Sequence, residues 1–194
     1  NEADRLRSAY RETSQALGLS EERQEGDYPR VGLGCEHYFD DVVYERLLGG
    51  DGLLYPGGHA ALIEFGHRAF PARAQNRLFD LKRRGVRPVL AHPERYGPVS
   101  DDPEVLEPLL DVGVLLLLDV ASLDGKYGRS AKRAAERLLE LGYYYAACSD
   151  AHRASDVEHV VRGIGRLREL AGEEDQRFFL CEGPASILSG TFES

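Results

Sequence analysis

The sequence predicts an α/β fold built on a parallel sheet, and three observations predict it. Short apolar runs of strand length alternate with segments whose apolar residues recur at helical spacing. The runs are apolar throughout, as strands covered on both faces are, and do not alternate with polar residues. Each run stops on an acid or a histidine: Glu36, Glu64, His92, Asp119 and Asp150. Packing gives no reason for carboxylates and imidazoles at one end of every strand. A metal centre at the C-terminal face of a barrel needs that layout.

Taken in order, residues 2–17 place Leu6, Ala9, Tyr10, Thr13, Ala16 and Leu17 on one stripe with Gly18 as stop, which predicts a surface helix packed on the body. An acid-rich polar loop over 20–27 leads to a strand over 30–36, whose glycines allow close approach and whose end carries Glu36. A short helix over 41–48 has Asp40 or Asp41 as its N-cap and ends at Gly49-Gly50. In the strand over 60–65, Glu64 interrupts an apolar run, a costly place for a carboxylate unless it is paired or bound to a cation. Residues 71–84 predict a helix with basic residues in its last turn and Gly85 as stop. The next strand ends at His92, because Pro93 denies His92 a helical backbone and ends the ladder. There follow a helix over 103–112, a strand over 114–119, a helix over 130–141, a strand over 143–148 with Tyr143 to Tyr145 as core, and a helix over 156–170. A tail from 178 to 188 packs back on the body.

Composition narrows the function. The chain has 194 residues, 42% hydrophobic and 29% charged, an ordinary globular make-up with room for one core. Its 33 acids against 24 bases give a net charge of −9 with no long basic block, which argues against nucleic acid and anionic lipid as partners. The longest apolar run, Val114 to Leu118, falls far short of the ~20 residues of a membrane span, so no membrane insertion is expected. Cys35, Cys148 and Cys181 lie far apart and read as reduced core residues. None has an arginine six positions on, which argues against thiol phosphatase chemistry.

Glu36, Glu64, His92, Asp150 and His152 offer oxygen and nitrogen ligands without a thiolate, a set that suits Mn²⁺, iron or Zn²⁺ and more than one ion. Ions that share carboxylates point to hydrolysis, by activating water and neutralising substrate oxygens. Arg95, three residues after His92, is placed to grip a phosphate in bidentate fashion, which favours a phosphoester over an amide. Alone, this stretch also reads as a strand-capping histidine followed by a solvated Glu94–Arg95 pair; a second strand ending in Asp150 and His152 weighs against that. Asp119 reads as a ligand, an acceptor for a ligating histidine or a strand cap, the second being favoured. His37, His59, His67 and His159 read as surface or loop histidines.

The strings GCE, ALIEF, PVLAHPERYG, DVASLDGKYG and CSDAH, in that order, resemble the bacterial metal-dependent protein-tyrosine phosphatases of capsule and exopolysaccharide operons, the CpsB/CapC type within the polymerase and histidinol phosphatase (PHP) superfamily. AHPERY with SDAH is specific to that group, whereas Glu and His at strand ends mark only the superfamily. The resemblance implies a distorted seven-stranded PHP-type β/α barrel, here with about five of the strands. It also implies a divalent metal cluster, often manganese, with iron or zinc as alternatives. The implied activity is removal of phosphate from the phosphotyrosine of a polysaccharide-assembly tyrosine kinase, in the cytoplasm.

The resemblance makes Glu36, Glu64, His92, Asp150 and His152 metal ligands, with Asp150 and Arg95 catalytic and Arg95 the phosphate-binding arginine. The family carries a further arginine after SDAH; Val157 and its neighbours offer none, and Arg153 is the nearest counterpart for substrate binding. The family also has amides where the strand into Asp119 has leucines. It opens with a His-x-His strand and a second strand ending in His. This chain begins inside a predicted helix and contains no methionine, so residues 1–194 are read as one metallophosphoesterase domain lacking its N-terminal part. The sheet edge so left open predicts association of copies. Two alternatives stand beside this reading: a sister phosphoesterase acting on a metabolite such as histidinol phosphate, and a truncated, non-catalytic domain that regulates the kinase.

Overall fold

The computed structural model describes residues 2–16 and 31–192. Five strands, β1 (Glu36–Tyr38), β2 (Ala60–Glu64), β3 (Arg87–Ala91), β4 (Leu115–Asp119) and β5 (Tyr144–Cys148), form an all-parallel sheet in the order β1-β2-β3-β4-β5. Sequential order means that every crossover steps in the same direction, the winding of a barrel wall; a doubly wound sheet reverses at a central strand. The strands therefore present their carboxyl ends at one rim. Among the described residues the helices are α1 (Glu2–Ala16), α2 (Asp41–Leu48), α3 (Ala74–Arg83), α4 (Gly97–Asp101), α5 (Glu107–Asp111), α6 (Val120–Asp124), α7 (Gly128–Glu140), α8 (Val157–Arg177) and α9 (Gly183–Ser189).

Strand alternation sorts the apolar residues into two layers. Ile63, Leu90, Leu116 and Leu118 join a large core with Leu47 of α2, Leu78 and Leu81 of α3, Leu138 of α7 and Leu167 of α8. Ala60, Val89, Leu115 and Leu117 face a smaller cluster closed by Ile187 of α9. The expected cover of both faces is thus uneven, with most helices on one side. Leu62 packs on the smaller cluster, and Glu36 stands opposite Leu62 in the β1–β2 register. Partners in a parallel pair share a face, so Glu36 and Glu64 belong to the side with the thinner cover, where polar groups reach solvent.

Several sequence expectations are corrected. Glu36 opens β1 and does not end it; residues 31–35 carry no regular structure, since Gly32 and Gly34 leave little to hold a strand. Predicted positions 17–30, including the helix stop at Gly18 and the loop over 20–27, lie outside the described residues. No described side chain of α1 is buried, so the packed stripe expected of that helix is not seen among the described residues; Tyr10 OH donates to the Val31 carbonyl at 2.8 Å. The helix expected over 103–112 is a 3₁₀ turn, Pro103–Leu106, running into α5. α8 continues past its expected end at 170, broken at Gly172, whose φ of 87° only glycine adopts readily. α4 and α6 were too short to show a period. Cys181 is exposed, while Cys35 and Cys148 are half-buried.

Two packing details position the rim. α7 buries Ala131, Ala134, Ala135 and Leu138 along one stripe, and its small side chains admit the 3₁₀ turn Pro93–Arg95 against the helix. α8 crosses α6 at Gly163, where a Cβ would stand 2.0 Å from the Val120 carbonyl oxygen. α2 starts at Asp40, whose carboxylate accepts from Val43 N at 2.8 Å.

Candidate metal centre

The site is built at the rim by turns that depart from ordinary backbone. β3 stops at Ala91, and His92 takes φ 33°, while beyond β5 Asp150 takes φ 40°. A non-glycine residue at positive φ costs free energy, of order 1–3 kcal/mol, and persists where surrounding contacts fix it. Here the two excursions lie at the ends of strands whose side chains converge. His92 N donates to the Leu117 carbonyl at 2.9 Å, which ties the turn to β4.

Glu36, Glu64 and His92 each direct one ligand atom into a common space, all within 4.8 Å of one another. His92 Nε2 lies 3.1 Å from Glu36 Oε1 and 3.7 Å from Glu64 Oε1, and the imidazole is only 3% exposed. A hydrogen bond with His92 holds Glu36 below its ordinary carboxylate value against the opposing effect of burial, helped by the charges of His92, Arg95 and His152. Two carboxylates around one imidazole carry more negative charge than the histidine can offset. Mixed oxygen and nitrogen donors at such spacing suit a hard or borderline divalent cation, so the residues fit a metal.

Asp150 and His152 stand beside this trio and not in it. His152 Nε2 lies 3.3 Å from Asp150 Oδ1, and its side chain is 72% exposed. Asp150 Oδ2 is engaged by Arg95 Nη1 at 2.9 Å. Arg95 also lies 3.6 Å from Asp119 Oδ2, and its guanidinium sits over the Tyr127 ring at 4.5 Å. Burial is the largest single influence and would lower the Arg95 pKa, but Asp150, Tyr127, Asp119 and Glu94 together outweigh it and raise the value. Arg95 is therefore a fixed cation at the edge of the centre. Arg153 is exposed, and its backbone N–H, like that of His152, donates to Asp156 Oδ2, at 3.1 and 3.0 Å. Lys126 Nζ holds the other oxygen of Asp156 at 3.2 Å, so the GKYG segment braces the loop that carries His152.

Four residues of the site escaped the sequence reading or were read differently. Glu94, read as one half of a solvated pair, is fully buried: its Oε1 accepts from Ser122 Oγ at 2.7 Å and Asp119 N at 3.2 Å, and its Oε2 from Tyr144 OH at 2.9 Å. Burial pushes its carboxyl up to about 7. Asp119, favoured as an acceptor for a ligating histidine, instead accepts from Ala121 N at 2.9 Å as the N-cap of α6, a role not among those considered for it. His67, read as a surface histidine, is exposed, yet its Nε2 lies 3.8 Å from Glu64 and its ring is nearly parallel to that of His92. Its position three residues after Glu64 was the available signal. Tyr127, quoted in sequence only as part of DVASLDGKYG and given no role there, becomes the platform under Arg95. A cleft of about 540 Å³ opens beside the centre, lined by His67, Arg95, Gly97, Ser100, Tyr127 and Ser130 among others. His159 pairs with Asp124 at 2.6 Å, away from the centre.

Residues 2–189 match the family described as capsular polysaccharide synthesis, CpsB/CapC. The tyrosine-protein phosphatase YwqE of Bacillus subtilis strain 168 is 35% identical over 91 residues, which cover 47% of this chain and 36% of YwqE. CapC of Staphylococcus aureus, whose name assigns it provisionally to the tyrosine-protein phosphatases, is 25% identical over 172 residues, 86% of this chain and 68% of CapC. Among solved structures, a chain from the crystallography of YwqE and of CpsB from Streptococcus pneumoniae, described as metal-dependent tyrosine phosphatases, superposes with a TM-score of 0.71 at 29% identity. That superposition covers 80% of this chain and 63% of the other. The chain thus spans between about a third and two thirds of the length of these relatives.

Proposed function

Because the chain belongs to the CpsB/CapC family of capsular polysaccharide synthesis, we propose that it is the metal-binding part of a divalent-metal-dependent protein-tyrosine phosphatase. The observation that carries this reading is the convergence of Glu36, Glu64 and His92 with Arg95 fixed beside them. Glu36, Glu64 and His92 hold the cation, with Asp150 and His152 completing the set, and manganese is the proposed metal, iron or zinc being the alternatives. When bound, the metal supplies Lewis acidity toward water and toward phosphate oxygens.

The chain's own residues do the rest. Arg95 stays charged at any working pH and presents a planar fork suited to phosphate. Asp150 touches both Arg95 and His152, so it orients the phosphate-binding cation against the neighbouring imidazole. A tyrosine phenol has a pKa of about 10, so it leaves a phosphate with far less protonation than an aliphatic alcohol. A site rich in cation-binding groups suits that leaving group. Arg153, at the rim, is proposed to meet the substrate beyond the phosphate.

The proposed partner is a phosphotyrosine-bearing protein, in this family's setting a bacterial tyrosine kinase of polysaccharide assembly, met in the cytoplasm. No helix among the described residues is long and apolar enough to cross a membrane. Residues 1–194 are read as one domain, and copies are proposed to associate through the β1 edge. The Mn²⁺-loaded protein should release phosphate from a phosphotyrosyl peptide at least ~10-fold faster than from histidinol phosphate. Equal or inverted preference would overturn the assignment.

A further inference from the structure

The AHPERY and DVASLDGKYG segments are joined by one carboxylate that the chemistry above does not use. Glu94 is wholly inside, with no cation among its hydrogen-bond donors in the described residues, and three elements donate to it: the end of β4 through Asp119 N, α6 through Ser122 Oγ and β5 through Tyr144 OH. A buried carboxylate is retained at such cost when its acceptors organise something. Its chain neighbours are Arg95 on one side and, through Pro93, His92 on the other. Asp119, whose amide it holds, is also the acid 3.6 Å from Arg95.

We propose that Glu94 is a positioning residue: by tying the Pro93–Arg95 turn to β4, α6 and β5, it holds the Arg95 guanidinium between Asp150 and Tyr127 in the orientation that receives phosphate. Arg95 gets little from its own neighbours in sequence. The turn has only three residues, and the Arg95 Nε has no hydrogen-bond partner. The side chain's direction is therefore set by where the turn is anchored, and Glu94 is the anchor that reaches three elements at once. The shape of the carboxylate matters more than its charge. A glutamine keeps the oxygen that takes Asp119 N and Ser122 Oγ, and its amide faces a tyrosine hydroxyl that accepts as well as donates.

This rests on the reading of Arg95 as the phosphate-binding group, so it is tested by two readouts: affinity for inorganic phosphate by calorimetry, and turnover of a phosphotyrosyl peptide with Mn²⁺. Glu94→Ala should weaken both by about 10- to 100-fold, as expected when Arg95 is turned out of its charge-assisted contact with phosphate, and Glu94→Gln should recover most of the loss. The double variant with Arg95→Ala should be no worse than Arg95→Ala alone, because Glu94 acts through Arg95. Multiplying losses in the double variant would mean general damage to the fold and would overturn the proposal, as would a Glu94→Gln protein as poor as Glu94→Ala. Phosphate binding that follows the expected pattern without any phosphotyrosine turnover supports Glu94 and overturns the proposed activity. A wild-type protein that neither binds phosphate nor turns over peptide overturns both.

Discussion

His92, Glu94, Arg95 and Tyr96 leave one short turn in four directions because Pro93 and the positive φ at His92 break every regular repeat there. His92 faces Glu36 and Glu64, Glu94 goes into the core, and Arg95 reaches Asp150. Tyr96 is buried with its hydroxyl donating to the Ala91 carbonyl at 2.8 Å and accepting from Phe65 N at 3.1 Å, which fixes the end of β2 to the end of β3. The roles are separable, so substitutions should part metal binding from turnover. Arg95→Ala should leave the bound metal per chain unchanged while phosphatase turnover falls by ~10²-fold, the usual effect of losing a charged contact at developing charge. Metal analysis alongside the phosphatase assay checks it; metal lost with the arginine would assign Arg95 to the centre itself.

At the scale of elements, the rim is held by close backbone approaches and by ion pairs between helices. Gly163 is the point where α8 meets α6, and an added methyl there would run into the Val120 carbonyl, a backbone atom that yields only if the helices part. Gly163→Ala should therefore cost about 1–3 kcal/mol despite alanine's better helix propensity, read as a lower melting temperature. An unchanged or raised value would show that α8 slides without penalty. The same helices are joined by Asp124, which takes His159 at 2.6 Å and Arg162 at 2.9 Å. Burial opposes ionisation of Asp124, but those two bonds prevail and hold it below the ordinary 3.8. A depressed carboxylate stabilises the fold above its unfolded value and loses that contribution as pH falls through the lower folded value. Asp124→Asn should thus be less stable than the parent at neutral pH, and the gap in denaturation midpoint should close in acid below that carboxylate range.

For the whole molecule, the centre is a place where negative charge gathers in a chain already at −9. Without a cation, Glu36 and Glu64 flank one imidazole and repel each other. Glu64→Gln should then be neutral or stabilising in chelator, yet should abolish the rise in melting temperature that Mn²⁺ gives the parent. For the parent, a free cation at ~100 times its dissociation constant adds about 2.7 kcal/mol. Thermal melts of both proteins with and without Mn²⁺ decide this. A parent whose melting point ignores divalent metal would remove the cation from the account of this site.

The sequence by itself determined the order of the strands and of the longer helices between them, because apolar runs and helical stripes are local signals. It also brought Glu64, His92 and Asp150 to strand ends or just past them, since they break patterns that packing alone would have continued, whereas Glu36 proved to open its strand. Only the tertiary structure decided how those ends meet. A histidine and two acids from three separated segments form one cluster, while Asp150 is taken up by Arg95 and His152 lies out in solvent, and no local pattern encodes such distances. Glu94 and Arg95 are adjacent charges that read alike in one dimension. Packing of α7 and β4 against the turn buried one with three donors and left the other facing the centre, because a carboxylate can enter a core only where donors from other elements already wait.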